Sequence, residues 1–346
     1  MKIELNIINP MNYPFWDELL LSNHEYSFFH SSNWARVLCE SYHYNPLYFT
    51  LTDKSKLLVS LPIMEIKSFL TGQRGVSLPF SDYCDPIVTK DILFQDVFDY
   101  LIEYGVQAGW KFIEIRGGGD FLQNLLPSSY YYAHFLELSK DEEQIFSNLR
   151  SSTRRNIKKA FREGVEVNVG NSIESIKEFY RLNCVTRKMH GLPPQPYYFF
   201  KKIYEYIIVR NLGIVVIASY NKRNIAGAVF FHFGEKAMYK YGASDRSYQE
   251  LRPNNLVMWE AIKWYCQKGF KTLCFGRTEP ENRGLRQFKA GWSTKEKTIQ
   301  YYRYDLKKGT FIGEKPYVTE FHNKLFNKMP TPLLRTFSLV FYKHMG

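Results

Sequence analysis

In the second half of the chain the spacing of apolar residues switches between a short and a long period. The runs "GIVVIASY", "NIAGAVFFHF" and "AMYKYGAS" are separated by "NKRN" and "GEK". Short β-branched and aromatic runs broken in this way predict three antiparallel strands joined as a meander. Helical spacing precedes them, in "IESIKEFYRLNCVTRKM" and "YYFFKKIYEYIIV", and follows them, in "LRPNNLVMWEAIKW". In the last, Leu256, Trp259, Ile262 and Cys266 make an apolar stripe and Glu260, Lys263 and Gln267 a polar one. A strand "KTLCFG", a short helix around "ENRGLRQFKAG" and a strand "TIQYYRYDL" complete an α+β order.

The first half repeats this plan loosely, with strands near Leu47 to Thr50 and Leu57 to Met64 and a helix from Asp91. "DVFDYLIEYGVQAGWKFIEIRG" and "NNLVMWEAIKWYCQKGFKTLCFGR" each read as a helix closed by glycine and followed by a strand. Gln107, Gly109, Trp110 and Lys111 match Gln267, Gly269, Phe270 and Lys271, and Arg116 and Arg277 end the two strands, which implies a duplicated unit. The fold class expected is therefore α+β, two tandem domains, each a mixed, mainly antiparallel sheet flanked by helices. A charged helical pair, "DEEQIFSNLRSSTRRNIKKAFREG", ends at Gly164 and marks the junction. The division expected is 1–150, 151–310 and a helical tail at 311–346.

Composition narrows the chemistry. The 346 residues, 45% hydrophobic and 17% aromatic, suffice for two cores. No run of about 18 apolar residues occurs and "MKIELNIINP" lacks a signal-peptide pattern, so a cytoplasmic protein is expected. Five scattered cysteines without CxxC spacing argue against a disulfide frame or a zinc site, and no HExxH, GxGxxG or GxxxxGK[ST] is present. No metal and no tightly bound cofactor is expected. The net charge of +12, from 46 Lys and Arg against 34 Asp and Glu, favours anionic partners.

A helix opening near Pro253, Asn254 and Asn255 offers unpaired backbone N–H groups to an anion or a carbonyl oxygen, unless Asn254 simply caps it. The preceding strand ends in "YGASD", which brings Tyr241, Ser244 and Asp245 to the same mouth, with Asp245 and His190 as candidate proton acceptors. Arg154, Arg155 and Lys158, with Lys159 and Arg162, fall on nearly one helical face and suit the phosphates of RNA or a nucleotide-linked precursor. No GxSxG elbow or Cys and His pair points to a covalent intermediate, so direct attack within a ternary complex is the simpler chemistry.

The ordered set "YKYGASD", "LRPNNLVMWEAIKW", "LCFGR" and "GLRQFKAGW", with "LRSSTRRNIKKAFREGV", "VTRKMHGLPPQP", "FHSSNWARVLCESY" and "SLPFSDYCDPIV" earlier, resembles the FemAB and BioF2-like acyltransferases of the GNAT superfamily, over roughly Phe29 to Asp305. The resemblance implies two tandem GNAT-like domains, the second catalytic. It is closest to short-form members, because no coiled-coil insertion follows Gly164. The helix mouth departs from the glycine-rich pyrophosphate loop of acetyl-CoA enzymes. By resemblance Phe288 and Lys289 lie beside the acyl donor and Arg187 near the acceptor. Ser244, Arg277 and Arg286 complete the candidate substrate-binding set. The resemblance implies that Lys289→Ala lowers turnover by about tenfold or more and leaves the melting temperature unchanged.

The activity implied is transfer of an aminoacyl or acyl group onto an amine of a peptidoglycan-type precursor, with aminoacyl-tRNA or acyl-CoA as co-substrate and a nucleotide- or lipid-linked acceptor. Two alternatives stand beside it: acyl-CoA-dependent N- or O-acylation in exopolysaccharide biosynthesis, and a degenerate GNAT pair serving as a binding protein. In the tail, Leu333, Leu334, Phe337, Leu339, Val340 and Phe341 collect apolar surface while Lys328, Arg335 and Lys343 add charge. Such a segment suits either the inner face of a membrane or docking onto the N-terminal domain.

Overall fold

The computed structural model describes residues 3–53, 56–89, 94–122, 124–313, 326 and 329–346. The parts of the expected tail at 314–325 and 327–328, and the helix start at Asp91, lie outside the described residues. Two compact units form: Met1–Tyr131 with Thr298–Pro316 and Tyr342–Gly346, and Tyr132–Lys297 with Tyr317–Phe341. They do not follow the 1–150, 151–310, 311–346 segmentation, and the physical reason is long-range strand pairing.

In the first unit, β1 (Ile3–Ile8), β2 (Asn45–Asp53), β3 (Lys56–Ser68) and β4 (Gly72–Val76) pair antiparallel in order, with β5 (Ile87–Val88) added to β3. Next comes β6 (Phe112–Arg116), parallel to β4. In the second unit, most of β7 (Ser129–Glu137) joins β8 (Glu166–Gly170), β9 (Gly213–Tyr220), β10 (Arg223–Phe233), β11 (Lys236–Ser244) and β12 (Thr272–Thr278). Their order is β7-β12-β11-β10-β9-β8. Most of β13 (Lys295–Asp305), with β14 (Thr310–Ile312) on it, returns to the first unit and pairs antiparallel with β6. Each sheet is thus completed by a strand from a distant part of the chain, and β7 was not anticipated at all.

Among the described residues each unit has one parallel pair, because in each a helix carries the chain back across the sheet. The first unit's helices are α1 (Trp16–Leu21), α2 (Ser32–Tyr42), α3 (Phe94–Gln107) and α4 (Gly119–Leu122); α3 precedes β6. The second unit holds α5 (Glu142–Asn148), α6 (Ser151–Arg162), α7 (Ile173–Met189), α8 (Tyr197–Ile203), α9 (Pro253–Gln267), α10 (Arg283–Ala290) and α11 (Thr331–Phe341). The segment "YYFFKKIYEYIIV" is not one α-helix: α8 passes into a π turn at Tyr204–Ile208. On α9, Leu256, Met258, Ile262 and Tyr265 enter the second core with Phe230 and Leu273. Each aliphatic side chain so buried contributes about 1.5–3 kcal/mol.

The first core is built on Trp110, whose indole N–H donates to Glu65 Oε1 at 3.0 Å. Gly75 is required beside it, since a Cβ there would fall 2.3 Å from the ring. At the end of β6, Glu114 lies between Arg116 and Arg303, each at 2.8 Å. Burial alone would raise its carboxyl, but Arg116 and then Arg303 outweigh that and hold it at about 2. The group's folded value lies below its unfolded one, so its contribution is complete above about pH 4.5 and is lost as the pH falls toward 2. The shift corresponds to about 3 kcal/mol. We expect Glu114→Gln to lower stability at neutral pH by roughly 2–3 kcal/mol and to flatten the acid limb of the stability curve. Urea midpoints of both proteins from neutral pH to pH 3 check this, and parallel curves would contradict it.

Candidate active site

The parallel ladder between β11 and β12 runs through Lys236↔Thr272, Ala237↔Leu273 and Met238↔Cys274 and then ends. Beyond it β11 continues on β10 and β12 continues on β7. The divergence has local causes. The β10–β11 register shifts at Val229/Phe230, and the β12–β7 register shifts between Cys274 and Arg277, where Gly276 has φ 69°. Both irregularities bend a strand away from its neighbour and open a wedge-shaped notch between β11 and β12.

α9 begins at the same end. Asp245 caps a 3-10 turn, Arg246–Leu251, by accepting from the Ser247 N–H at 3.0 Å, and pairs with Arg223 at 3.3 Å. Both its oxygens are engaged, so the arrangement does not present it as a proton acceptor. Arg252 then turns left-handed, φ 57°, and Pro253 opens α9 with no side-chain cap. Asn254 is not the cap; its amide donates to Ser244 Oγ at 3.2 Å and ties the helix mouth to the tip of β11. Ser244 is held in turn, its N–H donating to Thr186 Oγ1 at 2.9 Å. Asn255 is buried at the same turn. Tyr241 projects among Phe199, Phe200 and Phe231.

On the other side of the notch, Asn282 caps α10 by accepting from the Leu285 N–H at 3.1 Å, which sets the helix against β12. Lys289 is 2% exposed, and its Nζ donates to the carbonyls of Gly276 at 2.8 Å and Arg277 at 3.0 Å. It is therefore not a solvated surface lysine: the bulge releases backbone acceptors and this ammonium satisfies them. Phe288 packs edge-on to Trp292 against the core, 5.9 Å between centroids. The guanidinium of Arg286 makes two 2.6 Å bonds to Glu296 and lies 3.8 Å over the Tyr132 ring. Two of its three nitrogens are thus engaged within the protein.

Three residues that sequence reading missed complete this wall. His134, fully buried on β7, has Nε2 3.1 Å from Glu296, a contact too poorly aligned for a hydrogen bond. Burial lowers its pKa; Glu296 opposes that, and Lys289 and Arg286 add to it, so the ring is neutral beside the buried ammonium. Thr278 Oγ1 is buried with no hydrogen-bond partner among the described residues. Nothing in the sequence marks these residues, since their meeting depends on the β7–β12 pairing.

The remaining candidates lie apart from the wall. Arg187, at the end of α7, donates from Nε to the Pro193 carbonyl at 3.1 Å, and His190 is the exposed closing residue of that helix. On α6, Arg154 is half-buried, Arg155 and Lys158 are exposed, and none of the three has a carboxylate within 4 Å among the described residues. Lys159 and Arg162 pair loosely with Glu250 and Glu163. No cluster of three or more His, Cys, Asp or Glu is placed to hold a metal among the described residues.

The notch, the uncapped helix and the mixed sheet define a GNAT-type fold, and comparison agrees: residues 147–290 match the acetyltransferase (GNAT) domain family. The structure superimposes on the crystal structure of FemX with a TM-score of 0.70 at 15% identity, covering 89% of this chain and 98% of that one. In sequence, it is 26% identical over 149 residues to the UDP-N-acetylmuramoylpentapeptide-lysine N(6)-alanyltransferase of Weissella viridescens, 42% of this chain and 44% of that protein. It is 36% identical over 76 residues to the lipid II:glycine glycyltransferase of Staphylococcus haemolyticus, 20% of this chain and 18% of that protein. The matched segments thus span under half of these curated relatives. The chain thus contains a GNAT domain at residues 147–290 and has the fold of FemX over most of its length.

The burial of Lys289 changes the expectation for its removal. Lys289→Met leaves the Gly276 and Arg277 carbonyls without their donor, at a cost of roughly 1–3 kcal/mol. The melting temperature is therefore expected to fall by several degrees, not to stay constant, and calorimetry of the two proteins decides between these outcomes.

Proposed function

We propose that the second unit transfers an aminoacyl group from an activated ester to a primary amine of a cell-envelope precursor peptide, in the notch between β11 and β12. The observation that carries this reading is the buried Lys289 charge on the β12 wall of a notch whose opposite corner is an uncapped helix mouth. The names of the two sequence relatives supply the substrate class: both are aminoacyl transferases to peptidoglycan intermediates.

The chemistry needs no covalent enzyme intermediate. The amine nitrogen attacks the ester carbonyl carbon, the new C–N bond forms, the ester C–O bond breaks, and the proton lost by the amine goes to the departing ribose oxygen, directly or through water. Negative charge develops on the carbonyl oxygen and then on the leaving oxygen. Lys289 supplies fixed positive charge near both without reorganising, because its ammonium is already held by two carbonyls. His134, neutral and enclosed, keeps the wall from carrying a second buried cation. Arg187 is the proposed contact for acceptor phosphates, as a guanidinium fixed through Nε.

The donor is proposed to be aminoacyl-tRNA in preference to acyl-CoA. The α9 mouth has proline and asparagine where a pyrophosphate would need close backbone approach, and α6 presents Arg155 and Lys158 with no ion-pair partner among the described residues. Purified protein is expected to transfer the amino acid from charged tRNA, and no acyl group from acyl-CoA, to a muramyl pentapeptide substrate; the reverse would overturn the donor assignment, and transfer from neither would favour a binding protein. Arg155→Glu with Lys158→Glu should weaken tRNA binding about tenfold at low salt and reduce the slope of log K against log salt by roughly one to two. Filter binding across a salt series reads both, and an unchanged slope returns α6 to a solvated face.

A further inference from the structure

Away from the notch, α7, α8 and α11 enclose a cavity of about 520 Å³. Its walls are Tyr180, Tyr197 and Tyr198, its rim carries Lys177, Arg335 and Leu339, and none of these residues takes part in the transfer proposed above. Arg335 lies 5.2 Å over the Tyr180 ring. Neither Lys177 nor Arg335 has a carboxylate within 4 Å among the described residues, although Arg181, one turn from Lys177, is paired with Glu178. Two cations without an ion-pair partner among the described residues, at the mouth of an aromatic pocket, attract a phosphate and leave an apolar floor for what the phosphate carries.

The helix that forms one wall has an unusual outer face. Leu334 and Ser338 point inward and are buried. Leu333 is 57% exposed, Leu339 63% and Val340 49%, and by helical spacing Leu333 and Val340 share the side turned away from α7. Exposed aliphatic residues on an amphipathic helix, beside cations with no carboxylate partner among the described residues, match the headgroup and acyl boundary of an anionic bilayer.

We propose that this face is a membrane-docking surface: α11 lies in the interface with Leu333 and Val340 inserted, while the cavity takes the phosphate headgroup of an anionic lipid between Lys177 and Arg335. The proposal is independent of the donor and acceptor assigned to the notch. No helix among the described residues is long and apolar enough to cross a membrane, so this contact would be peripheral.

Flotation of the full chain with vesicles of phosphatidylcholine, alone or mixed with phosphatidylglycerol, tests it. Wild-type protein should float with the mixed vesicles only. Lys177→Glu with Arg335→Glu should reduce binding by about tenfold or more, since each basic residue at such a surface matters measurably. Arg155→Glu with Lys158→Glu makes the same change in net charge on α6 and should leave binding near the wild-type level. Lys177→Gln with Arg335→Gln removes the charges without reversing them and should fail in the same direction, which covers the case in which the reversed charges disturb folding. Leu333→Ser with Val340→Ser should also weaken binding without altering charge. Equal losses from the α7/α11 and α6 pairs would reduce the effect to net charge and overturn the proposal. Binding of glycerol 3-phosphate at millimolar concentration with no flotation on the mixed vesicles would also overturn it, by making the cavity a site for a soluble phosphoester.

Discussion

The structure of the site depends on one ammonium and the backbone it satisfies. Where β11 and β12 part, β12 bulges at Gly276, and the carbonyls of Gly276 and Arg277 are held by Lys289 at 2.8 and 3.0 Å. A bulge without that donor leaves buried acceptors unmet, and a buried ammonium without those acceptors is far costlier than either. Each therefore fixes the other. The open notch and the buried charge are two results of one interaction.

The duplicated unit shows what happens without it. In the first unit β4 and β6 also pair in parallel, through Gly75↔Ile113 and Val76↔Glu114. There the end of β6 is covered by the chain that follows β4: the Cys84 N–H donates to the Arg116 carbonyl at 2.6 Å, and Asp85 accepts from the Gly118 N–H at 2.7 Å. The Arg116 and Arg303 guanidiniums are spent on Glu114. The sequence match between Arg116 and Arg277 thus joins two strand ends with different fates, one covered by backbone and the other propped open by a lysine. That difference makes the second unit the better candidate for chemistry.

Much of the second unit was legible because its elements are locally consistent. The meander strands and α7 declare themselves by period, and Pro253 marks the start of α9. β7 escaped notice because "SYYYAHFLE" shows no strict alternation, and its partner β12 lies far along the chain. The same distance hid His134, Glu296 and Thr278. Lys289 was singled out through resemblance to a family, but its burial was not visible in a helix as polar as "RGLRQFKA". Asp245 and Arg286 looked available in the sequence because their partners, Arg223 and Glu296, are recognisable only once the strands are paired.

The central claim is that the β11–β12 notch of the second unit receives the acyl donor. The most direct measurement is amide hydrogen exchange, with and without a non-hydrolysable aminoacyl-tRNA 3′-end analogue. The account predicts slowed exchange in residues 239–244, at the first turn of α9 and in residues 275–278, with the end of β6 in the first unit unchanged. Protection at β6 with none in the β11, α9 and β12 segments would contradict it.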